Sequence, residues 1–247
     1  MIKFENTEVY GWEAAIRGMR NPMNSWAKSD SSYCKILDEL TKENQNWRCA
    51  GCKNEFVGRP NCYIIGPNDF DLMMRLRNAG TGHRKFMRMI TVTVDITAPM
   101  YWWKEFDTYK VATVRNSTST MHKIAAKEFT RDDFSWEHLL GDDCVPDHDY
   151  QSSTYVLDLI IESLNFWRHE YLTGEESGIK KDKRAWWQMI QLLPSSYNQK
   201  STVLLNYEVL ANMYHSRKNH RLDEWSVGFV NWMKDLPYSE LITGEKD

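Results

Sequence analysis

The run Ile90–Ile96 (ITVTVDI) constrains this chain more than any other: Ile90, Val92, Val94 and Ile96 are apolar, and Thr91, Thr93 and Asp95 are polar. A period of two sends alternate side chains to opposite faces, so the run reads as a strand with one buried face. Pro99 then falls where a helix can begin, because a missing N–H costs nothing at the first helical position. Met100, Trp103 and Phe106 follow at helical spacing, and the helix is expected to fail near Asp107-Thr108. Beyond it, Thr113–Thr120 (TVRNSTST) is dense in hydroxyls and amides and is bracketed by Lys110, Arg115, His122 and Lys123. A strand feeding a helix that ends in a polar, cationic loop suits an anion; a surface turn is the plainer alternative for the same residues.

A chain of 247 residues, 42% hydrophobic, suits one sizeable core or at most two small domains. Eleven Trp, twelve Tyr and twelve Met call for an aromatic-rich interior or interface. The net charge of -3 and the lack of a long basic block give no footprint for nucleic acid. No apolar run approaches the roughly 18 residues of a membrane span. The N-terminal MIKFENTEVY lacks the apolar core of a secretory leader, so a soluble cytoplasmic protein is expected.

Cys49-Ala50-Gly51-Cys52, with Cys62 ten residues on, is half of a zinc pattern; Cys144 and His148 are the residues able to complete it. No second CxxC or HxxxH follows, so reduced structural thiols are the reading taken and no metal site is assigned. The acidic stretch Thr130–Tyr150 carries Asp132, Asp133, Asp142, Asp143, Asp147 and Asp149, but without calcium-loop spacing these read as solvated acids.

In chain order, Glu8–Met19 reads as a short amphipathic helix closed by Arg20-Asn21-Pro22, and Ser32–Glu43 as a second helix. Asn44–Cys62 is irregular, and Tyr63-Ile64-Ile65 is too short to assign. Asp69 is placed as the N-cap of a helix running through Phe70, Leu72, Met73 and Leu76 to Asn78, with Gly80 as its stop. Gly82–Phe86 then leads into the alternating strand, with His83 solvated. Val156–Leu172 predicts a helix with Leu157, Ile160, Ile161, Leu164 and Trp167 on one stripe, and Arg184–Leu193 another, stopped by Pro194. Ser201–Arg217 is expected to be one long helix that aligns Val203, Tyr207, Leu210, Tyr214 and Arg217, with Glu208, Asn212 and His215 on a neighbouring polar face. An arginine ending an aromatic stripe can lie over a planar ligand or bind an anion, or it can serve the helix C-terminus. Glu224–Lys234 is the last helix. Without internal repeats, the chain reads as a single domain of mixed α/β class.

Asp69–Phe86, ending in a GH-x-x-F-like turn at Gly82-His83-Arg84-Lys85-Phe86; Ala98–Lys110; Leu192-Leu193-Pro194; and Asn206–Glu224 (NYEVLANMYHSRKNHRLDE) are four blocks that, in this order, resemble the flavin-dependent thymidylate synthases. The last is similar to N-x-R-x-L-x-N-F-x-x-x-R, with Asn206, Asn212 and Arg217 at matching places. The family signature RHRxxSxxxxSxR is rewritten as Thr108-Tyr109-Lys110 followed by Thr113, Thr118 and Thr120. The preceding arginine and glutamine are Lys104 and Glu105, a histidine before the strand is Arg88, and an arginine before the LP pair is Ile190.

The resemblance implies an α/β fold with a sheet packed against long helices, clearest over residues 65–235. It implies methylation of dUMP or a related pyrimidine nucleotide, with FAD as cofactor and methylenetetrahydrofolate and NADPH as co-substrates. In that frame Arg217 is the catalytic, base-binding residue. Asn206, Asn212, Tyr109, Lys110, Arg88 and Thr113 face the cofactor, while Glu105, Thr118, Ser119 and Thr120 face the substrate, with Lys110, Thr118 and Thr120 on its phosphate. A homotetramer with sites between subunits is the implied assembly. The rewritten signature keeps a second reading open, a non-catalytic nucleotide- or flavin-binding homologue.

Overall fold

The alternating run is a strand, longer than its clearest residues. The computed structural model describes residues 2–33, 63–144 and 151–245. Its elements are β1 (Lys3–Tyr10), α1 (Trp12–Arg20), β2 (Ser32–Tyr33), β3 (Tyr63–Ile64), α2 (Pro67–Asn78), a 3-10 segment (Arg84–Met89), β4 (Thr91–Pro99), α3 (Met100–Phe106), β5 (Val114–Ser117) and α4 (Thr120–Lys123). There follow α5 (Ser153–Thr173), α6 (Lys183–Leu192), β6 (Asn198–Asn206), α7 (Tyr207–Arg217), a π-helix (Glu224–Phe229), α8 (Val230–Lys234) and α9 (Glu240–Thr243). One sheet has the order β1-β4-β6-β5, and β2 pairs antiparallel with β3. The chain divides into two compact units, one of Met1–Glu5, Asp95–Thr108 and Arg115–Thr202, the other of Asn6–Val94, Tyr109–Val114 and Val203–Asp247.

In the second unit, Val92 and Val94 point into the core with Met73, Met87, Tyr207, Leu210, Met213, Trp225 and Phe229. Gly11 turns β1 into α1 at φ +90, and a Cβ there would lie 2.0 Å from the Met89 carbonyl oxygen, so only glycine fits. The expected helix over Glu8–Met19 is thus a strand end and a helix. The start of α2 also differs from expectation: Gly66, not Asp69, is its N-cap. Asp30 accepts from the N–H groups of Asn68 and Asp69 at 2.9 and 3.0 Å, so a remote carboxylate serves the helix start. Asp69 is fully buried and accepts from Arg20 Nε at 2.6 Å, Ser29 Oγ at 2.7 Å and Ser31 Oγ at 2.6 Å. The helix stops where expected, with Gly80 at φ +103.

In the first unit, α3 buries Trp102, Trp103 and Phe106, with the Trp102 and Phe106 rings stacked 5.1 Å apart. Pro99 caps this helix rather than opening it, and Asp107 ends it. The inner stripe of α5 carries Leu157 and Leu164 into a cluster with Ile124, Phe129, Phe134 and Met189, against which Ile160, Ile161 and Trp167 are partly buried. The helix expected over Arg184–Leu193 is α6, one residue earlier at each end, with Asp182 as its N-cap.

Three further expectations are corrected. Thr113–Thr120 is not a plain loop, since it contains β5. Ser32 and Tyr33 are in a strand rather than a helix; the rest of Ser32–Glu43, with Asn44–Cys62, lies outside the described residues. The single helix over Ser201–Arg217 is the end of β6 followed by α7, so Val203 does not share a helical face with Arg217. Cys49, Cys52, Cys62, Asp147, His148 and Asp149 also lie outside the described residues. Among the described ones no three His, Cys, Asp or Glu side chains gather as a metal site, and no helix is long and apolar enough to cross a membrane.

Candidate functional site

In the second unit, α7 organises the polar side chains. Asn206 ends β6 and caps the helix, its Oδ1 accepting from the Val209 N–H at 2.9 Å. Two residues on, in the first turn, Glu208 is buried and holds two cations: Arg88 Nε donates to Oε2 at 2.5 Å and Arg84 Nε to Oε1 at 3.4 Å. Arg84 also donates from Nη2 to Asn212 Oδ1 at 2.8 Å. The two arginines differ in access, since the Arg84 side chain is 12% exposed and that of Arg88 57%. Burial first, then the charges of Arg77, Lys218 and Arg84, holds the His215 imidazole below its ordinary pKa, a sign of how dense the positive charge is here.

At the other end of α7, Arg217 donates from Nε to the Tyr109 hydroxyl at 2.8 Å. Its guanidinium carbon lies 4.7 Å from the centre of the Trp225 ring and 5.2 Å from that of Tyr109. Thr113 closes the Tyr109 turn by donating from its hydroxyl to the Tyr109 carbonyl, across Ala112 at φ +62. Lys110, between them, is exposed.

The first unit carries a separate polar cluster. Arg115 on β5 lies over the Trp103 ring, 3.9 Å from its centre, and donates to Asp107 at 2.7 and 2.9 Å, to Ser201 Oγ at 3.0 Å and to Gln199 Oε1 at 2.5 Å. Gln199 Nε2 in turn donates to the Thr118 carbonyl at 2.8 Å and to Thr120 Oγ1 at 3.3 Å. Ser119 caps α4 by accepting from the His122 N–H, and Glu105 is half-buried on α3.

The expected site residues therefore fall in two sets. Arg217, Tyr109 and Thr113 come together; Arg88 and Asn212 join through Arg84 and Glu208; Asn206 heads the same helix, and Lys110 lies in the Tyr109 turn. Glu105, Thr118, Ser119 and Thr120 belong to the other unit. Sequence reasoning gave no role to Arg84, Gln199 or the Trp225 ring as a partner of Arg217. The Arg84 signal was available, since it lies inside the Gly82–Phe86 block. Gln199 carried none, because its importance comes from pairing between strands distant in sequence.

The chain has the fold of the flavin-dependent thymidylate synthases. Among solved structures it is similar to thymidylate synthase X from Helicobacter pylori with FAD and dUMP, at a TM-score of 0.59 and 15% identity over 99% of this chain and 98% of that one. A second structure of that organism's flavin-dependent thymidylate synthase, also complexed with FAD and dUMP, gives 0.61 and 15% over 98% of each chain. The UMP/dUMP methylase PolB from Streptomyces cacaoi, bound with 5-Br UMP, gives 0.51 and 17% over 99% of this chain and 94% of that one. No family model and no curated protein matches the sequence.

Proposed function

We propose that this protein is a divergent flavin-dependent thymidylate synthase, a single-domain homotetrameric enzyme that methylates dUMP or a related pyrimidine nucleotide. The observation that carries the reading is Arg217, at the position the resemblance assigns to the base, fixed by the Tyr109 hydroxyl at 2.8 Å on a fold whose similar structures hold FAD with dUMP, or a UMP analogue. When bound, reduced FAD supplies hydride and methylenetetrahydrofolate the carbon, with NADPH as the reductant of the flavin. The donor set of the second unit fits a flavin dinucleotide. Arg88 keeps more than half of its side chain in solvent while Glu208 orients it, as a cation facing an external phosphate requires. In this reading Arg88, Asn212, Asn206, Lys110, Tyr109 and Thr113 serve the cofactor and Arg217 binds the base.

The protein's share is orientation and electrostatics, because the family reaction needs no protein nucleophile. The visible spectrum of the purified chain, before and after adding FAD, tests the proposal. A flavin band near stoichiometric occupancy is expected, weakened in Arg88→Ala and Asn212→Ala, together with dUMP methylation. A protein that stays colourless in excess FAD sinks the flavoenzyme reading. The second reading, a non-catalytic nucleotide-binding homologue, draws support from Arg115, whose guanidinium is already engaged by Asp107, Gln199 and Ser201. It is the better account if FAD-free protein binds dUMP.

A further inference from the structure

We propose that Tyr109 and Trp225 are positioning residues for Arg217, and that their hold on its guanidinium sets affinity for the pyrimidine nucleotide. This rests on the reading that Arg217 meets that nucleotide. A long arginine side chain at the end of a helix samples many rotamers, and binding must freeze them. Here the freezing is done in advance. The phenol oxygen of Tyr109 accepts a hydrogen bond from the Arg217 Nε–H at 2.8 Å, which fixes rotation about the last side-chain bonds. The rings of Trp225 and Tyr109 hold the guanidinium carbon at 4.7 and 5.2 Å, and stand 6.4 Å from each other, tilted by 54°. An electron-rich face is the natural neighbour for a delocalised planar cation.

The local backbone supports a dedicated arrangement. Trp225 is fully buried and sits in the π-helix over Glu224–Phe229, a geometry that is rare and concentrated at functional sites. A plain helix-terminal cation requires none of this. Lys218, the next residue, is exposed at the same helix end, with its Nζ 5.8 Å from the centre of the Tyr214 ring, and puts positive charge at the end of the α7 dipole. Tyr109 stands where the related signature has histidine, so a phenol that only accepts from Arg217 has replaced a group that titrates near neutrality.

The experiment is calorimetric titration of dUMP into the full chain loaded with FAD, with melting temperature and flavin content measured on each variant. Tyr109→Phe keeps the ring and removes the Nε partner, and in FAD-saturated protein should raise the dUMP Kd ~tenfold, the scale of one hydrogen bond to a charged group. Trp225→Phe should give a smaller rise than Trp225→Leu, and is informative even if the leucine variant does not fold. In an Arg217→Ala background, Tyr109→Phe and Trp225→Phe should have no further effect on dUMP, the coupling that a merely structural role does not produce. If Arg217→Ala weakens dUMP but the other two bind it like the parent, the clamp is overturned and the functional reading stands. Should Arg217→Ala bind dUMP like the parent, or the parent bind none, both fall.

Discussion

Asp69 illustrates how much can hang on one side chain. It is fully buried beside Arg20, whose side chain is 5% exposed, and the ion pair is 2.6 Å long. Burial alone would raise its pKa, but hydrogen bonds from Ser31, Ser29, Arg20 and the Asp30 N–H outweigh it, so the carboxyl lies below its ordinary value of 3.8. A carboxylate depressed in the folded state contributes stability that is fully present above its unfolded pKa and is lost as pH falls through the folded one. Urea midpoints should therefore decline as the pH drops below about 4, with part of that decline absent in Asp69→Asn. At neutral pH the same variant leaves Arg20 buried without its counter-charge and should cost about 3–5 kcal/mol, read from urea unfolding. Asp69 was legible as a helix-start residue, but its partners were not. They come from Arg20, 49 residues earlier, and Ser29–Ser31, 38 to 40 residues earlier.

Among the elements, β4 and α5 could be read because each shows one period without interruption. The strand β6 could not. Ser201, Val203 and Leu205 point inward at a period of two, but Leu204 points outward, and the apolar run merges with the helical pattern of α7. The boundary signal was Asn206, whose side chain caps the helix. Asn206→Ala should lower stability by about 1 kcal/mol in thermal melts. Asn206→Asp keeps the accepting oxygen and should restore the melt; under the proposed cofactor role both variants lose flavin, which separates that role from the cap. The strand β1 was hidden for another reason: Lys3–Tyr10 is mostly polar and buries none of its residues fully, so it had no in–out alternation to display. The π-helix was invisible as well, since one extra residue per turn barely disturbs the spacing of Trp225, Phe229 and Trp232.

For the whole molecule, α5 is apolar on more than its inner stripe. Tyr155, Leu159 and Phe166 follow one another along the outer face, 43%, 40% and 51% exposed, which is unusual for three large apolar side chains on one helix face. If the homotetramer forms through this face, light scattering should give about four times the 29.2 kDa chain mass, and Leu159→Glu with Phe166→Glu should reduce it without loss of helical circular dichroism. The candidate site residues were named through family resemblance, and their pairing was not legible, because Tyr109–Arg217 and Arg84–Asn212 join positions more than a hundred residues apart.

The stem around β2 and β3 carries a last implication. Ser32 pairs with Ile64 and Tyr33 with Tyr63, while Ser31 Oγ accepts from the Gly66 N–H at 3.0 Å and the Asp30 carboxylate closes over α2 so tightly that a Cβ on Gly66 would lie 2.2 Å from Asp30 Cγ. The two ends of residues 34–62 are thus fastened to each other by groups outside that stretch. Doubling the length of a chain between fixed ends adds only about 0.6 kcal/mol of closure entropy. A change in the number of residues between Tyr33 and Tyr63 should therefore leave the melting temperature nearly unmoved, whereas Gly66→Ala, which drives a Cβ into Asp30, should lower it.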